Sequence, residues 1–117
     1  PKENASVSMQ ETVTGEVNSL QDDTRIFVVV YSYKQNHFYP QGSPEIHTSG
    51  EWSYMTYFGN DQDSADSFAL LLIAASADTA ETYQSYLDDC ERSQSWPGMD
   101  TLPSGSQTVD SILVTRK

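Results

Sequence analysis

A chain of 117 residues is long enough for one domain with a real core and too short for two. Its formal charge of −11 weighs against nucleic acid and anionic membrane surfaces as partners: phosphate recognition needs clustered Lys and Arg, and the six here are scattered at Lys2, Arg25, Lys34, Arg92, Arg116 and Lys117. Cys90 is alone, which excludes an intrachain disulfide and a thiolate metal cluster, so the fold must rest on its core.

The acidic balance fits a self-repelling, soluble surface, or attraction to cations and basic partners. The longest apolar run, Phe68 to Ala75, falls far short of the roughly 18 residues of a membrane-spanning helix. The chain begins at Pro1 rather than methionine, so a processed chain or a piece of a longer protein is expected, with an extracytoplasmic location favoured over a cytoplasmic one.

Residues 1–6 are polar and are expected as a loose tail, with 7–117 forming a single domain. From Val7 to Val17 apolar and polar residues alternate, the period of a half-buried strand. Glu11 interrupts the apolar face and Gly15 suggests a bulge or bend, so two shorter strands are an alternative. Asn18 to Thr24 reads as a turn, with Asp22 and Asp23 as its hydrogen-bonding residues. Arg25 to Tyr33 follows as a central strand. Its continuous run Ile26-Phe27-Val28-Val29-Val30-Tyr31 implies burial on both faces, or on one face with aromatic packing at the rim.

Gln35-Asn36-His37 reads as a turn, and Phe38-Tyr39 as extended because Pro40 follows. Gly42 to Pro44 is expected as a loop and Glu45 to Thr48 as a short strand. Ser49-Gly50 suits a hairpin, glycine supplying positive φ, and Trp52, Tyr54, Thr56 and Phe58 alternate beyond it, with Trp52 read as a core anchor. Gly59 to Asp66 is a polar loop, and Phe68 to Ala75 a second continuous apolar strand pairing with the first. Ala80, Tyr83, Tyr86-Leu87 and Cys90 then fall at helical spacing, predicting a helix near Asp78 to Glu91 with Asp78 as N-cap and Glu81 completing a capping box. Ser93 to Ser106 is rich in Ser, Pro and Gly and reads as a long loop before a closing strand, Val109 to Thr115.

These elements predict a mainly β fold: an antiparallel β-sandwich of about six or seven strands, immunoglobulin-like with Greek-key topology, and one α-helix before the last strand. Its expected core contains Val17, Ile26, Val28, Val30, Trp52, Phe68, Leu70, Leu72, Ile112 and Val114. The order Gly15-Glu16-Val17, Ile26 to Tyr31, Phe38-Tyr39-Pro40-Gln41, Gly50-Glu51-Trp52, Gly59, Phe68 to Ala74, Leu102-Pro103-Ser104-Gly105 and Ile112 to Arg116 resembles a group of small β-sandwich accessory domains attached to larger prokaryotic proteins. The resemblance spans nearly the whole chain. It implies a non-catalytic module beside another domain, and it carries no functional residue across.

Three places invite chemistry. The acidic loop residues Asp61, Asp63 and Asp66 offer oxygen ligands to calcium, but their spacing departs from an EF-hand, so a solvated loop is preferred and no cofactor is expected. The aromatic loop with Tyr33, His37, Phe38 and Tyr39, and Tyr31 before it, offers faces for a sugar ring or a peptide, against the alternative that these residues cover an open sheet edge. His37 and His47 are the only imidazoles, and no serine or Cys90 stands in a nucleophile context beside them, so a small hydrolase is a distant alternative and two histidines do not suggest zinc. The expected function is a non-enzymatic interaction module binding a protein partner or a neighbouring domain, with carbohydrate binding by the Tyr33–Tyr39 loop as the alternative.

Overall fold

The computed structural model describes residues 2–18 and 23–117. The described residues contain seven strands, β1 (Ala5–Val7), β2 (Gln10–Glu16), β3 (Arg25–Ser32), β4 (His37–Gly42), β5 (Glu51–Tyr57), β6 (Ser67–Ala75) and β7 (Ser106–Arg116), with a single helix, α1 (Ala77–Ser93), before the last of them. The strands form a five-stranded sheet in the order β1-β7-β6-β3-β4 and a two-stranded sheet of β2 and β5. All pairings are antiparallel except β1 with β7. The chain is thus mainly β, in two sheets, with the helix placed as expected.

The continuous apolar runs of β3 and β6 have a direct cause. They pair in register at the centre of the large sheet, Val28 opposite Leu72 and Val30 opposite Leu70, and both faces of that sheet are covered. Ile26, Val28, Val30, Phe68, Leu70 and Leu72 join Val13 and Trp52 of the small sheet in one core. Phe27, Val29, Leu71 and Ile73 have the opposite parity and join Ala80 and Tyr83 of α1 in a second. Tyr83 stacks on Phe27 at 4.8 Å, and its hydroxyl lies 2.7 Å from Ser106 Oγ. Every residue of the expected core lies in the first cluster, with Val17 and Ile112 at its half-buried margin.

Several expectations need correction. Ala5 and Ser6, read as tail, pair with Val114 and Thr115, so ordered structure starts before Val7. The alternating stretch splits at Ser8–Met9, and its halves enter different sheets. Gly15 makes no bulge: it pairs with Trp52, whose ring lies where a Cβ would project. Pro40, Gln41 and Gly42 are strand, whereas Glu45–Thr48 is irregular. Proline is accommodated because β4 is an edge strand: Phe38 N–H points outward, so Pro40 N, two residues on, does too. The helix N-cap is Ser76, not Asp78, which sits in the first turn where a carboxylate favours the helix dipole. The turn expected over Asn18–Thr24 lies partly outside the described residues.

Candidate functional site

On the helix-covered face of the large sheet, α1 lies over Phe27, Val29, Ile73 and Ala75, all fully buried. Toward the other end of β3 the same face stays open, and the pairing rules dictate what lines it. Tyr31 shares parity with Phe27 and Val29, and its partners across the sheet are Phe38 on β4 and Ala69 on β6. Beyond Leu71, Ser111 continues the row on β7. These side chains, with Tyr33 and Asp100, line a groove of about 270 Å³.

Three rings form its wall. Tyr31 meets Phe38 at 4.6 Å with the planes inclined by 49°, and Tyr33 at 5.1 Å, edge-on at 89°. The Tyr31 hydroxyl donates to Asn36 Oδ1 at 3.2 Å, fixing that ring. Ala69 and Leu71 make a buried floor, whereas Tyr33 remains 52% exposed. Asp100 is brought to the rim by the loop after α1. Phe38 and Met99 exchange both backbone hydrogen bonds, at 2.8 and 2.7 Å, which also covers the outer edge of β4. Asp100 Oδ1 lies 2.7 Å from His37 Nε2, and its side chain is 88% exposed.

The four expected ligand residues therefore do not share one surface. Tyr33 and Phe38 belong to the groove, and His37 reaches it only through Asp100. Tyr39 pairs with Val30, whose side chain enters the other core, and its ring lies against Gly98. Burial, helped by the charge of Asp63, raises the Tyr39 phenol above its ordinary pKa. Asp100, Ala69, Leu71 and Ser111 were missed in the sequence. The two on β6 carry a legible signal, the parity shared with Tyr31; Asp100 and Ser111 carry none.

The acidic loop has a different occupant from the one considered. Asp63 Oδ1 accepts a hydrogen bond from Lys34 Nζ at 3.2 Å, and Oδ2 accepts one from Asn60 N–H at 2.7 Å. Lys34 Nζ lies 3.4 Å from Asp66 Oδ2, which is otherwise buried without a hydrogen bond. The buried Arg116 guanidinium donates to the carbonyls of Phe58 and Asn60 at 2.8 and 2.7 Å. Burial pushes the Asp63 carboxyl up, but the Asn60 amide, Lys34 and Arg116 outweigh it and hold it below the ordinary carboxylate value. Asp63 and Asp66 are thus committed to a side-chain cation of the protein itself, and Asp61 is exposed. Among the described residues no cluster of three His, Cys, Asp or Glu has metal-holding geometry.

His37 with Asp100 has the form of an imidazole oriented by a carboxylate, but among the described residues no hydroxyl or thiol is hydrogen-bonded to that ring. Cys90 is buried beside Tyr86, whose phenol is pushed well above its usual range by burial and by the neighbouring thiol. Among the described residues no helix is long and apolar enough to cross a membrane. Set against protein-family models, curated proteins and solved structures, the chain matches none.

Proposed function

We propose that this chain is a non-enzymatic binding module that holds an extended segment of a protein partner, or of a neighbouring domain, in the groove beside Tyr31, Tyr33 and Phe38. One observation carries the reading: where α1 stops covering the large sheet, the half-buried Tyr31 and Phe38 rings and the exposed Tyr33 ring stand over a buried floor of Ala69 and Leu71. Aromatic side chains supply large contact area at low entropic cost, which is why they dominate binding energy at interfaces. The resemblance to accessory β-sandwich domains belongs to the same proposal, as does an immunoglobulin-like, Greek-key sandwich topology. Seven largely antiparallel strands in two sheets support it, whereas α1 covers a sheet face that such sandwiches leave to solvent.

Carbohydrate binding is the second reading, favoured by the half-exposed Tyr33 ring beside the polar Asp100 and Ser111. A random peptide display library and a glycan array, each run on the wild-type chain and on Tyr33→Ala, separate the two. We expect peptides that the wild type enriches and Tyr33→Ala does not, with chemical-shift changes at Ala69, Leu71 and Ser111. Enriched peptides that map to another face, or saturable glycan binding lost in Tyr33→Ala, overturn the protein-partner reading.

A further inference from the structure

Resting on that reading, we infer that the groove takes an arginine side chain of the partner segment, its guanidinium stacked on the exposed Tyr33 ring and hydrogen-bonded to Asp100. The argument starts from size. A volume of about 270 Å³ lies just under the range of roughly 300–1,000 Å³ that holds whole small-molecule ligands, and it suits a single long side chain. Charge comes next. Among the lining residues Asp100 alone is formally charged, and it is negative. The nearest cation in sequence, Lys34, is engaged with Asp63 and Asp66 at 3.2 and 3.4 Å. Aromatic faces carry negative electrostatic potential, so three rings and one carboxylate together favour a cation, and the net charge of −11 draws basic segments in from a distance.

Arginine fits better than lysine for a geometric reason. A planar guanidinium can stack on one ring while its edge N–H groups donate to a carboxylate, whereas an ammonium is a compact, strongly hydrated charge that does neither as well. Tyr33, edge-on to Tyr31 and 52% exposed, leaves ring surface for such a guanidinium. Asp100 is well placed to accept, since its side chain is 88% exposed with one oxygen facing His37.

The test is a titration of the isotopically labelled full chain with acetyl-Gly-Gly-Arg-Gly-Gly-amide, with its lysine and citrulline counterparts, and with a neutral hexasaccharide. We expect saturable shifts at Ala69, Leu71 and Ser111 with the arginine peptide, and affinity weaker by about tenfold for the neutral citrulline isostere. Tyr33→Ala and Asp100→Asn should each weaken arginine binding by about fivefold, whereas Glu51→Gln, an equal charge change on the other sheet, should not. Citrulline binding as well as arginine, or Glu51→Gln weakening binding as much as Asp100→Asn, overturns the inference. If display-derived peptides without arginine fill the groove in either case, the protein-partner reading stands alone. If no peptide shifts groove residues, or only the saccharide does, both fall.

Discussion

At the scale of single residues, the close approach that joins the two strands of the small sheet is Gly15 under Trp52. A Cβ at position 15 would stand 2.7 Å from Trp52 Cζ2, inside van der Waals contact, and the indole is held in the core with 6% of its surface exposed. Gly15 has ordinary strand φ, so its role is space rather than backbone freedom. Gly15→Ala should therefore gain strand propensity and still lose stability, by about 1–3 kcal/mol, because the ring must leave its rotamer or the two strands must part. A fall in the urea midpoint without a change of slope is the expected result, and an unchanged or higher midpoint would show that the small sheet yields at no cost. A glycine in an alternating run suggests a bulge when no partner strand is known, and only the Gly15–Trp52 register shows what the missing side chain makes room for.

At the scale of elements, legibility followed how local the cause was. The runs of β3 and β6 announce double burial, and one parity, Ile26, Val28 and Val30 with Phe68, Leu70 and Leu72, was assigned a core because the alternating strands supply an obvious cover. The other parity is absent from the expected core, although the helix is available to cover the second face, because nothing in the helical spacing of Ala80 and Tyr83 says which strand residues they meet. The groove shares that fate: its aromatics were visible, but not the division that sends Phe38 to one face and Tyr39 to the other. The loop after β5 is a further case of distant causes, because its clasp joins Asp63 to Lys34 after β3, and Asn60 to Arg116 at the end of β7. This clasp has a definite pH signature. The Asp63 carboxyl is held below its ordinary value of 3.8, so its contribution is present above that value and is lost as pH falls through the lowered folded one. Lys34 is raised above 10.5, chiefly by its hydrogen bond to Asp63, so its side of the pair persists below that value and fades only above it. Asp63→Asn should then cost about 1–2 kcal/mol at neutral pH, since the amide keeps one acceptor for Asn60 N–H but loses the charge. That deficit should shrink in denaturation experiments below pH 4. A deficit that is the same at pH 3 and pH 7 would mean that the carboxylate charge contributes nothing to the clasp.

At the scale of the whole molecule, charge is the dominant unbalanced quantity. Seventeen acidic residues face six basic ones, and the ion pairs in the described part of the chain involve only Lys34, His37 and Arg92 on the basic side. An exposed pair such as Arg92–Asp89 contributes about 0–1 kcal/mol, whereas the surplus negative charge repels itself throughout the compact state. Added salt screens both, but far more repulsions than attractions are there to be screened, so stability should rise as ionic strength is brought from low to physiological. For a domain of this size the gain should appear as an increase of a few degrees in melting temperature. The same experiment decides the fate of the acidic loop. With Lys34 lying between Asp63 and Asp66, calcium would have to displace an ammonium already held by both carboxylates. Calcium chloride and sodium chloride at equal ionic strength should therefore raise the melting temperature alike, and Asp63→Asn should respond to the two salts as the wild type does. A cation that bound only the folded state would instead add about 2.7 kcal/mol at a hundredfold excess over its dissociation constant. A calcium-specific shift that sodium cannot reproduce and that Asp63→Asn abolishes would show the clasp opening to admit a metal, and would make Lys34 a gate for it rather than its substitute.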